Sequence, residues 1–210
     1  MELKDKIHFH MFYTFWSLID YCKIAIDNRE EKIKHEYEKS VSSDTNQQER
    51  YFKAEEFHNY CFNEFTYITT NSMIINLFNA IEVFLRKLCN KIKEDKKYKV
   101  GISSFNGSII EKVKTFYSIY NLPLIDQNIF DLFLEIQKIR DCLVHCNGII
   151  EDSRDSKYLL EVLKDESKIR LMNGSMVVEY NYCMELLVKS KDSMVSIFNN
   201  AGYSMLDEIK

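Results

Sequence analysis

Arg140 and His145 are the residues of this chain whose types and spacing best suit chemistry. They lie in the stretch Phe130 to Ile150, FDLFLEIQKIRDCLVHCNGII, on one flank of what reads as a single helix, with Asp141 between them. A guanidinium can stabilise the extra negative charge of a phosphorane, and an imidazole that titrates near neutrality can move a proton. Together they suffice for attack of a ribose 2′-hydroxyl on its own phosphodiester, a reaction that needs no metal. In the same helical turn Cys142, His145 and Cys146 have a spacing that could supply three zinc ligands. A fourth ligand does not stand nearby and cysteine packs readily as a small hydrophobe, so the expectation is no metal and no cofactor.

Other chemistries lack their usual residues. The sequence contains no G-x-x-x-x-G-K-[ST], no G-x-G-x-x-G, no H-E-x-x-H and no G-x-S-x-G, which argues against nucleotide hydrolysis, dinucleotide redox chemistry, zinc proteolysis and serine hydrolysis. His8 and His10 are two apart and point to different sides of a helix, so they read as ordinary surface histidines. A net charge of -4 gives no global basic field, and any nucleic-acid contact must be local. The most plausible phosphate-contacting patch is the lysine-rich loop KEDKKYKVG, with Lys96, Lys97 and Lys99 around Tyr98. Such a charge run also reads as a solvated surface.

The elements that must position these residues are helical. Five glycines, one proline and long three- and four-residue periodicities predict a mainly α-helical protein. The motif helix itself has two apolar sides: Ile129, Leu132, Ile136, Ile139, Leu143 and Cys146 form a core seam, while Phe130, Phe133, Leu134, Gln137 and Val144 line the opposite side beside Arg140 and His145. Two covered faces on one helix imply a second interface. A central core helix is expected over the second half of 52–94, with Ile74, Leu77, Phe78, Ile81, Phe84, Leu85 and Leu88 inward. On its flank Glu82 is either an i, i+4 ion-pair partner of Arg86 or the residue that orients Arg140.

Ser108 and Glu111 have the spacing of a capping box, so a helix should run from there to Tyr120, before Pro123. The stretch EDSRDS at 151–156 reads as loop and 158–163 as a short helix. Asn173-Gly174 between β-favouring runs predicts a hairpin with a type I′ turn over 168–179, and 181–200 predicts a closing helix that stops near Gly202. At the other end, an N-terminal helix is expected over about 5–39, charged all round in its later part, followed by a loop at 40–48. One domain is the expectation for residues 1–210. Six scattered cysteines without a C-x-x-C pair, no signal-peptide layout, and an apolar run at 72–89 broken by Asn76, Asn79, Glu82 and Arg86 predict a cytoplasmic protein with no membrane span.

The run Arg140-Asp141-Cys142-Leu143-Val144-His145-Cys146-Asn147-Gly148 resembles the R-x4-6-H motif of the HEPN superfamily, in which a polar residue follows the arginine. Phe78 to Leu85 is similar to the F-x-x-I-E-x-F-L run of that superfamily's core helix, and the order of elements from about 51 to 202 is also similar. The resemblance implies an all-α, HEPN-like bundle with a small C-terminal β-hairpin. It also implies a homodimer whose motif helices meet at a composite cleft, and a metal-independent ribonuclease of toxin-antitoxin or phage-defence type with an antitoxin or defence-system partner. Carried over, Arg140 would stabilise the transition state, His145 would act as acid or base, Asp141 would fill the polar position, and Glu82 would hold Arg140. Phe130, Phe133, Leu134, Gln137 and Val144 would form the dimer interface. Some members carry a tyrosine two residues after the histidine that a partner nucleotidyltransferase modifies; here that residue is Asn147. The competing expectation is a noncatalytic HEPN-fold binding or scaffold protein, since several branches of the superfamily do not cut RNA.

Overall fold

The computed structural model describes residues 66–203, together with isolated helical positions between 17 and 39. Among those isolated positions Glu31, Lys32, Lys34, His35, Glu38 and Lys39 are helical and exposed, as expected for a solvated, charged helix end. His8, His10, Cys22, Cys61, the expected loop at 40–48 and the segment 52–65 lie outside the described residues.

The described residues are mostly helical, with one small antiparallel sheet among them. Helix α1 (Thr66–Lys96) is followed by a short 3-10 turn, α2 (Ile109–Ile119), α3 (Gln127–His145), a second 3-10 turn at Ile150–Asp152, α4 (Ser156–Leu163), strands β1 (Ile169–Met172) and β2 (Ser175–Val178), and α5 (Tyr180–Asn200). At 31 residues α1 is about 46 Å long. It is the central element, packing against α2, α3, α5 and β2. The seven residues expected to point inward from it are each no more than 4% exposed, because three- and four-residue steps keep them on one stripe. By length and composition α1 would suffice to cross a bilayer, despite the polar residues at 76, 79, 82 and 86. Here its apolar stripe is taken up by the core shared with α2, α3 and α5.

Local signals account for most boundaries. Ser108 and Glu111 form the full capping box: the Glu111 N–H donates to Ser108 Oγ at 3.3 Å and the Ser108 N–H donates to Glu111 Oε2 at 2.6 Å. Those bonds favour the ionised acid and hold the Glu111 carboxyl below its ordinary value. Asp126 caps α3 by accepting from the Asn128 N–H at 2.9 Å. Asn173 (φ 51) and Gly174 (φ 81) make the turn between β1 and β2, in the register Met172 opposite Ser175 and Ile169 opposite Val178. Past α5, Gly202 adopts φ 81 and the Tyr203 N–H returns to the Phe198 carbonyl at 2.9 Å.

One side chain closes part of the free edge of β2. Asn71, 7% exposed, donates through Nδ2 to the Met176 carbonyl at 3.2 Å and accepts from the Val178 N–H through Oδ1 at 3.2 Å. An amide so placed supplies the donor and acceptor that a neighbouring strand would have supplied. The hairpin is thereby fastened to α1, as a two-stranded sheet this small requires.

Candidate functional site

Helix α3 buries the faces expected of it only in part. Its buried residues are Phe130, Phe133, Ile136, Ile139 and Cys142, five positions at strict three-residue steps. Each step falls about 60° short of a full turn, so the covered stripe winds around the helix instead of following one side. The expected core seam holds in part and the expected interface does not. Ile136 and Ile139 are buried, while Ile129, Leu132, Leu143 and Cys146 are half-buried and packed against the core. Phe130 and Phe133, expected at a dimer interface, are 7% and 0% exposed in this protein's own interior, the former with the Lys114 ammonium 4.6 Å over its ring. Leu134 and Gln137 are half-buried and Val144 is 40% exposed.

The winding stripe leaves Val144 and His145, in the last turn of α3, at the surface. There Arg140 Nη1 lies 3.3 Å from Nε2 of the exposed His145. A guanidinium nitrogen can only donate, so in this contact the imidazole nitrogen is the acceptor. Nη1 also donates to Asp141 Oδ1 at 2.8 Å, and the guanidinium carbon stands 5.8 Å from the Phe78 ring centroid on α1. The Arg140 side chain is 23% exposed. Among the described residues its buried Nε has no hydrogen-bond partner, and neither has Gln137 Oε1 one turn earlier.

Asp141 is the carboxylate that organises the site. Its Oδ1 takes Arg140, and its Oδ2 takes Arg154 Nη2 at 2.7 Å. Glu82 instead pairs with Arg86 along its own helix, at 2.6 Å from Nη2 and 3.2 Å from Nε. The i, i+4 alternative thus describes Glu82, whose role as the holder of Arg140 is filled by Asp141. Arg154 was not foreseen; its only signal in sequence is a lone arginine in an acidic turn just after the motif.

The end of α3 is fixed by backbone. Asn147 (φ 51) and Gly148 (φ 78) turn the chain away, with the Cys146 and Gly148 N–H groups donating to the Cys142 carbonyl at 3.0 and 3.1 Å. The Met176 N–H of β2 then donates to the Gly148 carbonyl at 2.8 Å. A Cβ at Gly148 would stand 3.2 Å from that same Met176 nitrogen. Glycine is needed here for its left-handed backbone and for the approach of the hairpin.

Cys142 is fully buried, with Sγ directed at the Ile149 carbonyl at 3.7 Å, and burial pushes its thiol up to about 11. Among the described residues no three His, Cys, Asp or Glu side chains are grouped to hold a metal ion.

Lys96, Lys97 and Lys99 are exposed, but at the far end of α1. Eighteen residues separate Phe78, beneath Arg140, from Lys96, about 27 Å along the helix. Tyr98 between them is engaged internally, stacked on Tyr120 with ring centroids 3.7 Å apart. These lysines and the motif therefore do not form one site. A concavity of about 490 Å³ lined by Lys114, Tyr117, Leu124 and Phe130, among others, also lies toward the start of α3 and includes none of the motif residues.

No protein-family model, curated protein or solved structure matches the chain.

Proposed function

We propose that this protein is a metal-independent endoribonuclease of HEPN type, cleaving RNA by attack of a 2′-hydroxyl on the adjacent phosphodiester. The reading rests on one observation, the 3.3 Å approach of Arg140 Nη1 to His145 Nε2 at the exposed end of α3. When RNA draws the Arg140 guanidinium onto its phosphate, the Nε2 lone pair is released to accept the hydroxyl proton, after which the imidazolium can protonate the leaving 5′-oxygen. Arg140, already charged and held by Asp141, faces the charge that develops on the phosphorane. The products would be a 2′,3′-cyclic phosphate and a 5′-hydroxyl.

A homodimer belongs to this reading, with changed contacts. Leu134, Gln137, Asp141 and Val144 step by three and four along α3, and this partly exposed line beside Arg140 and His145 is where a second copy would sit. A toxin-antitoxin or phage-defence setting, with a protein partner that restrains the activity in the cytoplasm, follows from the same reading. The test is RNA cleavage by purified protein in EDTA: wild type cuts, and Arg140→Ala and His145→Ala do not. Cleavage that survives both substitutions rejects the assignment.

One observation favours a noncatalytic HEPN-fold binding or scaffold protein instead. Arg140 is mostly covered, ion-paired to Asp141 and set over Phe78, as a structural arginine would be. That reading requires Arg140→Ala to lower stability markedly and to leave no RNA-dependent phenotype to explain.

A further inference from the structure

The side chains at the end of α3 form a continuous chain of contacts: His145 to Arg140 at 3.3 Å, Arg140 to Asp141 at 2.8 Å, Asp141 to Arg154 at 2.7 Å, and Arg154 Nε to Asp155 Oδ2 at 3.3 Å. Two guanidinium groups share one carboxylate. Without Asp141 their like charges would repel each other; with it they are held side by side. The two acids are shielded, at 14% and 23% side-chain exposure, whereas Arg154 is 72% exposed.

A guanidinium carries five N–H donors. Arg154 uses one on Asp141 and one on Asp155, which leaves three for solvent. Nor is it on a loose arm. Ile150 is 1% and Ser153 6% exposed, and Ser153 Oγ accepts from the Asp155 N–H at 3.2 Å while the Ser153 carbonyl accepts from the Ser156 N–H at 3.0 Å. The turn is anchored on both sides of the arginine. Since Lys96 stands about 27 Å along α1 from Phe78, backbone phosphates next to the cleaved bond have to be met by something closer than the lysine-rich end of that helix.

We propose that Arg154 is a phosphate-binding residue, taking the RNA phosphodiester next to the one that Arg140 stabilises. The inference rests on the ribonuclease reading of the site. The planar fork of Arg154 suits bidentate contact with a phosphodiester, and Asp141 and Asp155 set its plane before RNA arrives. Arg154 binds and positions substrate and takes no part in proton transfer.

The experiment compares full-length wild type, Arg154→Ala, Arg154→Lys and Arg140→Ala in EDTA over a series of salt concentrations. One arm measures cleavage of single-stranded RNA, the other binding of a noncleavable 2′-O-methyl oligonucleotide by anisotropy. Arg154→Ala should raise KM and Kd about tenfold and reduce the salt dependence of binding by about one phosphate contact. The turnover rate at saturating RNA should fall much less, and Arg154→Lys should recover part of the binding. A purely structural arginine would lower the melting temperature without changing the salt slope. Equal KM, Kd and salt slope for wild type and Arg154→Ala overturn the proposal. If wild type does not cleave, or Arg140→Ala cleaves equally well, the ribonuclease reading falls, and the anisotropy arm still decides the role of Arg154.

Discussion

The Gly148 carbonyl accepts the Met176 N–H at 2.8 Å, so strand β2 holds the end of the helix that carries Arg140 and His145. The contact links a fold feature to the candidate site. Gly148→Ala would strain a residue at φ 78 and press a methyl group against a backbone nitrogen. The expected cost is about 1–3 kcal/mol in chemical denaturation, with loss of RNA cleavage beyond what the unfolded fraction explains. An alanine variant with wild-type stability and activity would contradict this role for the turn.

Asn71 carries the other attachment of the hairpin. Replacing it with leucine leaves the Met176 carbonyl and the Val178 N–H without their amide partner, and about 2–4 kcal/mol should be lost. For a chain of this size that corresponds to a fall in Tm of several degrees. Ser108→Ala, which removes one half of an exposed capping box, should cost only about 1 kcal/mol. Equal effects for the two would show that β2 does not depend on the side chain.

Arg140→Ala separates a catalytic from a structural arginine. Asp141 keeps Arg154 after the substitution, so no acid is left uncompensated and the loss should be about 1 kcal/mol. Glu82→Gln removes only a pair at 33–41% exposure and should change stability by less than about 0.5 kcal/mol. A loss of about 3–5 kcal/mol at Arg140 would mark a buried structural pair instead.

Alkaline pH should weaken the fold. Burial raises the thiols of Cys142 and Cys89 from 9.0 to about 11 and about 12, and burial together with Glu135 raises the Tyr158 hydroxyl from 10.0 to about 12. The folded chain then holds protons that the unfolded chain releases. This contribution to stability is fully present below about pH 9 and is lost as pH rises toward about 11–12. Denaturation measured across that range should show the decline, and stability unchanged up to about pH 11 would contradict it.

The parts of the fold that were legible in sequence share one property: their cause is local. Ile74 to Leu88 announce a core stripe by spacing, Ser108 and Glu111 a helix start, and Asn173-Gly174 a turn. What was hidden depends on residues distant in the chain. Asn71 is one more polar residue in a helix until β2, 105 positions later, is placed against it. The faces of α3 were partly misread because a threefold step makes the buried stripe wind, which no fixed-face template describes. Glu82 chose the neighbour four residues on, while Asp141, beside Arg140, reached Arg154 thirteen positions away. The pairing of Arg140 with His145 was legible because both lie within about one and a half turns of a single helix.

The central claim is that Arg140 and His145 together break an RNA phosphodiester without metal, and end-group analysis of RNA incubated with the protein in EDTA tests it most directly. The expected result is fragments ending in 2′,3′-cyclic phosphate and beginning with 5′-hydroxyl from wild type, and intact RNA from Arg140→Ala and from His145→Ala. Intact RNA with wild type, or the same fragments from all three proteins, would contradict it.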